Sequence, residues 1–128
     1  MEQKTKSFKN LIIWQKSFEI FKMICDDIGK WPKEAVPRSI SYQLLDSGGS
    51  MSANIAEGFG RGGPKEFEQF LRYSRGSLAE TDDWLSKALV LKLITSERYG
   101  DYCGKFEEIS KMTASFINKL RTQTKRKT

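Results

Sequence analysis

A chain of 128 residues with 30 % charged and 12 % aromatic side chains is long enough to bury a core as one domain and too apolar to remain disordered. No apolar run approaches the ~18 residues of a membrane span, no secretory apolar core follows the basic start, and a chain with no histidine and two distant cysteines, Cys25 and Cys103, lacks the usual zinc ligand sets. The net charge of +6 sits at the ends: residues 1–10 hold three lysines against one glutamate, residues 119–128 hold five basic residues and no acid, and the body between them is left at −1. The expectation is one domain over residues 1–128 with basic frayed ends at 1–9 and 121–128, in the cytoplasm, with two unpaired small buried cysteines.

In the first segment Leu11, Trp14, Phe18, Phe21, Cys25 and Ile28 recur at alternating spacings of three and four, with a second row of Ile13, Ile20 and Ile24 beside them. This predicts a helix capped by Asn10 or Ser7, with Trp14 on its core face. "KWPKEAVP" (residues 30–37) breaks it, and Trp31 is expected to pack under that turn. The second segment places Ile40, Leu44, Met51 and Ile55 on one face, but "DSGGSMSA" in its middle permits two readings: a break at Gly48–Gly49, or a continuous helix whose small residues admit a close neighbour. The third segment keeps the helical period through Phe67, Leu71, Ser74, Leu78, Thr81, Leu85 and Ala88, and Pro64 suits its first turn. After "LITSE", with Thr95 or Ser96 as N-cap, the fourth runs through Tyr99, Tyr102, Phe106, Ile109, Thr113, Phe116 and Leu120. No segment alternates with a period of two, so the fold class is all-α, an antiparallel up-down bundle.

"GFGRGGPKEF" (residues 58–67) fits G-x-G-x-x-G at Gly58, Gly60 and Gly63. A dinucleotide or kinase loop of that spacing needs a strand beside it, and here "SMSANIAE" precedes it as helix. The stretch therefore reads as a helix–helix turn, with Gly58 or Gly60 supplying positive φ at the C-cap. Arg61, Lys65 and the N–H groups around Pro64 keep one further use, holding a phosphate of a larger partner.

At "SANIAEGFGR" (residues 52–61), with "LIIWQKS" (11–17), "WPKE" (31–34), "KEFEQFL" (65–71) and "GSLAE" (76–80), the chain resembles the four-helix-bundle proteins encoded by intervening sequences of bacterial 23S rRNA genes, whose fold the accessory proteins of diversity-generating retroelements share. The resemblance covers most of the chain. It implies four antiparallel helices, assembly of copies into a five-membered ring, no enzymatic activity, suspected nucleic-acid binding and, in the retroelement branch, contact with a reverse transcriptase. It also favours a continuous second helix. Three departures stand out: Leu44-Leu45-Asp46 follows Tyr42-Gln43 where the family has a basic pair, Ser50-Met51-Ser52 replaces a proline-containing triplet, and Lys92 stands where the third helix commonly ends in glycine.

Two functions of different class follow. The first is an oligomeric scaffold that binds RNA or DNA through Lys119, Arg121, Lys125, Arg126 and Lys127, aided by Arg61, Lys65, Lys4 and Lys6, against the plain alternative of a solvated end. The second is a structural adaptor for a protein partner such as a reverse transcriptase, suggested by apolar rows beyond one seam per helix (Ile13, Ile20 and Ile24, or Phe70, Trp84 and Leu91). Trp84 lies beside the core seam, open to a subunit interface. Asn54, Glu57 and Glu80 are expected to form a structural polar network around the glycine turn. No catalytic, cofactor or metal site can be located.

Overall fold

The computed structural model describes residues 7–127, with side chains to Lys125; Lys4 and Lys6 of the basic start lie outside the described residues, as do the side chains of Arg126 and Lys127. After a 3-10 turn at Phe8–Asn10 come four helices: α1 (Ile12–Ile28), α2 (Ala35–Arg61), α3 (Pro64–Val90) and α4 (Ser96–Lys127). Among the described residues there is no strand. Each helix runs antiparallel to the next and α4 closes against α1, which is the expected up-down bundle.

The second helix is continuous. Its small residues serve close approach on two sides: a Cβ on Gly48 would overlap Ile24 Cδ1 of α1, while Ser47 accepts a hydrogen bond from Thr81 Oγ1 of α3 at 3.0 Å. One turn further on, Ser74 Oγ donates to Met51 O at 2.8 Å. Polar side chains buried between α2 and α3 are thus paired across a narrow interface. Ile40, Leu44, Met51 and Ile55 are buried as expected, with Leu71, Leu85, Phe106, Ile109 and Leu120 from α3 and α4.

On α1 the inward row is the other one. Ile13, Ile20 and Ile24 are buried, whereas Phe18 is 41 % exposed and Cys25 is exposed. Trp14 is half-buried, stacked on Phe18 with centroids 4.9 Å apart and meeting Phe8 edge-on at 5.2 Å. Trp14 still packs against the core, from its edge, whereas the expectation of two buried cysteines is corrected: Cys25 is exposed and Cys103 only half-buried. The N-cap is corrected as well: Leu11 occupies that position without a side-chain bond, and Ser7 caps the 3-10 turn by accepting from Lys9 N. At the start of α4 Thr95 is the cap, its Oγ1 accepting from Arg98 N at 3.0 Å. Trp31 is buried under the first turn as expected.

Helix α3 ends in a Schellman motif: Leu93 N donates to Ala88 O at 2.9 Å and Lys92 N to Leu89 O at 3.0 Å. Lys92 carries φ 60°, the left-handed conformation that a Cβ disfavours. Lys92→Gly is expected to raise stability by about 1 kcal/mol, measured by chemical denaturation.

Candidate nucleic-acid interface

The up-down topology brings the start of α1, the α2–α3 turn and the end of α4 to one end of the bundle. The turn is built by Gly62, which closes α2 with φ 88°, and by Pro64 at the first turn of α3. The left-handed cap is thus Gly62, and the assignment to Gly58 or Gly60 is corrected. Gly58 lies inside α2, where the lack of a side chain admits Phe67 and Phe70; Gly60 faces open space.

Beside this turn, α3 and α4 bound an open groove of about 430 Å3 lined by Lys65, Glu68, Gln69, Arg121, Thr124 and Lys125. Three of the predicted basic residues, Lys65, Arg121 and Lys125, therefore share one concavity. Glu68 sits among them, and its Oε2 accepts from Arg72 Nε and Nη2 at 3.2 and 2.8 Å and from Arg121 Nε at 3.1 Å. The hydrogen bond from Arg72, with help from Arg121, holds the Glu68 carboxyl below its usual range. Arg121 is bonded through Nε alone among the described residues, which leaves its Nη groups for another acceptor.

Helix α4 does not fray at residue 121; it runs to Lys127, because Leu120 is buried, Arg121 is tied to Glu68, and Thr122 and Thr124 donate back to Asn118 O and Leu120 O. Arg121 and Lys125 are consequently displayed on a helix. Lys119, two residues before Arg121, is exposed on a different face of α4 and does not line the groove. Arg61 lies on the other side of the turn, paired with Glu57 at 2.9 Å and placed 5.2 Å from the Phe70 centroid. Asn54, Glu57 and Glu80 do not form a network among the described residues. Asn54 Nδ2 donates to Ser50 O at 2.8 Å, Glu57 takes Arg61, and Glu80 is exposed on α3 beside Thr81, at the level of Ser47 and two turns from Asn54.

The opposite end holds the most buried charge among the described residues. Asp27 is 8 % exposed and accepts from Arg98 Nε at 3.1 and 3.0 Å and from Tyr102 OH at 2.6 Å. The bond from Asp27 raises the Arg98 pKa, and burial first, then the bond to Asp27, pushes Tyr102 far above its usual value. Nearby, Tyr99 OH donates to Asp82 Oδ1 at 2.7 Å, and that bond pushes its pKa up to about 12. Phenols held protonated in this way are structural donors rather than bases. An open depression of about 580 Å3 adjoins the pair, lined by Trp31, Ile94, Lys30 and Arg98 among others. No group of three or more residues with metal-ligating side chains, and no helix long and apolar enough to cross a membrane, occurs among the described residues.

The sequence reading missed Glu68, Gln69 and Thr124 as groove residues and Asp27 as a buried anchor. A signal for Asp27 existed: it lies three residues after Ile24 on the inward row of α1.

The molecule is thus an antiparallel four-helix bundle with a basic groove at one end and an internal ion pair at the other. Residues 9–115 match the family model of the 23S rRNA-intervening sequence protein, and the chain belongs to that family. Lys119, Arg121 and Lys125 lie beyond the matched stretch. Among solved structures the chain is similar to a protein of unknown function from the S23 ribosomal protein family of Bacteroides thetaiotaomicron VPI-5482, at 29 % identity and a TM-score of 0.73, over 83 % of this chain and 98 % of the other. No curated protein sequence matches this chain.

Proposed function

We propose that the protein is a non-enzymatic, self-associating helical scaffold of the cytoplasm that holds RNA through the basic end of the bundle. The observation that carries this reading is the convergence of Lys65, Arg121 and Lys125 on one groove beside the glycine turn. Cations gathered on a concave surface neutralise adjacent phosphates and release counterions, which drives sequence-tolerant binding. Arg61 and Lys119 widen the same basic end, and repetition of that end around an oligomer multiplies weak contacts. Fluorescence anisotropy with a labelled structured RNA tests this reading. The variant K65Q/R121Q/K125Q is expected to bind at least tenfold more weakly than the wild type; equal affinity would overturn it.

A second reading, an adaptor for a protein partner, draws on the outer row of α1. Phe21 lies beside α2, where a Cβ on Gly49 would sit 3.5 Å from Phe21 Cε1, and Phe18, stacked on Trp14 in the same row, remains open to solvent. An apolar row of this kind suits contact between copies or with another protein. Under this reading the wild type forms stable oligomers by light scattering and shows no affinity for RNA at low salt. The five-membered ring is the assembly that the family resemblance implies.

A further inference from the structure

The solvent face of α3 carries more than charge. Lys65, Gln69 and Tyr73 follow one another at intervals of four residues, so they form a ladder along one side of the helix, leading away from the groove. Tyr73 is 49 % exposed, and among the described residues its hydroxyl has no protein partner. The ring has an aromatic neighbour on one side: Phe70 meets it edge-on, with centroids 5.3 Å apart and planes at 85°. Arg61 in turn lies over Phe70. A large aromatic ring thus stands half-exposed on this face, two helical turns or about 12 Å from the cation of Lys65.

Resting on the RNA-binding reading above, we propose that this end of the bundle takes single-stranded rather than duplex RNA, with phosphates in the groove between α3 and α4 and an unpaired base stacked on Tyr73. A cationic groove that tracks the backbone, beside an aromatic ring that offers a face to a base, is the arrangement that single strands require. A duplex keeps its base faces stacked inside and would meet the cations while leaving Tyr73 unused. Gln69, between the two, presents an amide that can donate to or accept from either a phosphate or a base edge. The charge of Glu68 is offset by the two guanidinium groups that donate to its Oε2, those of Arg72 and Arg121.

The test is fluorescence anisotropy with a labelled twelve-nucleotide uridine-rich RNA, alone and annealed to its complement. It compares the wild-type chain with Tyr73→Ala, Tyr73→Phe and Arg121→Gln, each checked for helicity by circular dichroism. Tyr73→Ala is expected to weaken single-strand binding about tenfold, Tyr73→Phe to stay within about twofold of wild type, and duplex binding to be indifferent to both. Loss of affinity through Arg121→Gln with none through Tyr73→Ala, or tighter binding of the duplex, overturns this inference and leaves the RNA-binding reading intact. Failure of the wild type to bind either RNA at low salt overturns both.

Discussion

Asp27→Ala is expected to lower stability by about 3 kcal/mol and the thermal midpoint by on the order of 10 °C, read by circular dichroism. The carboxylate accepts three hydrogen bonds from α4 across the bundle, and its loss leaves the fully buried Tyr102 hydroxyl and the Arg98 guanidinium without their acceptor. The placement of the two charges sharpens the effect. Asp27 lies in the last turn of α1 and Arg98 in the first turn of α4, so each faces the helix dipole end of its own sign. The pair offsets both, and a single deletion leaves the other charge opposed. The remaining α1–α4 ion pairs, Lys16–Glu108 at 3.2 Å and Glu19–Lys105 at 3.0 Å, lie at the surface and contribute little. Asp27→Asn, which keeps an acceptor for Tyr102 and gives up the charge, is expected to fall between wild type and alanine. A midpoint unchanged in Asp27→Ala would show that the pair does not fasten α4 to α1.

Gly58→Ala is expected to destabilise by about 2 kcal/mol, against the roughly 1 kcal/mol gain that helix propensity alone predicts for a glycine inside a helix. The added Cβ would lie 2.6 Å from Phe70 Cβ and 2.9 Å from Phe67 Cδ1, and Phe67 Cα stands at 3.4 Å. These are not the free ends of flexible chains; accommodating the methyl requires α3 to move away from α2. Gly60→Ala is the matched control. It lies two residues on in the same helix, with open space around it, and is expected to be neutral or stabilising by up to about 1 kcal/mol. Opposite signs for the two substitutions in urea denaturation would establish close α2–α3 approach at Gly58; a stabilising Gly58→Ala would refute it.

The four helices are legible in the sequence because three of them carry long, uninterrupted helical periods, and their turns hold proline, glycine or a capping threonine. The face of α1 is a different matter. Two apolar rows lie side by side on it, and periodicity cannot say which one turns inward. The inward row of Ile13, Ile20 and Ile24 is interrupted by the buried Ser17 and Asp27, so it looks poorer than the unbroken row of Trp14, Phe18 and Phe21. Asp27 belongs inside only because Arg98 and Tyr102, some seventy residues later, supply its donors, and no local pattern carries that pairing. The turn glycines show the same limit. Gly58, Gly60 and Gly62 lie two residues apart, yet one admits a neighbouring helix, one faces solvent and one adopts positive φ. The basic residues were legible as a set. Their sorting into groove and non-groove members depended on how far α4 extends and on its rotation against α3.

The most direct measurement of the central claim is the dependence of RNA affinity on salt. The logarithm of the observed association constant, plotted against the logarithm of salt concentration, should fall steeply for the wild type. Its slope should be shallower by about 2 in K65Q/R121Q/K125Q, since each phosphate contact on a single strand contributes about 0.7. An unchanged slope in that variant, or no binding by the wild type at low salt, would contradict the assignment of this end of the bundle to phosphate contact.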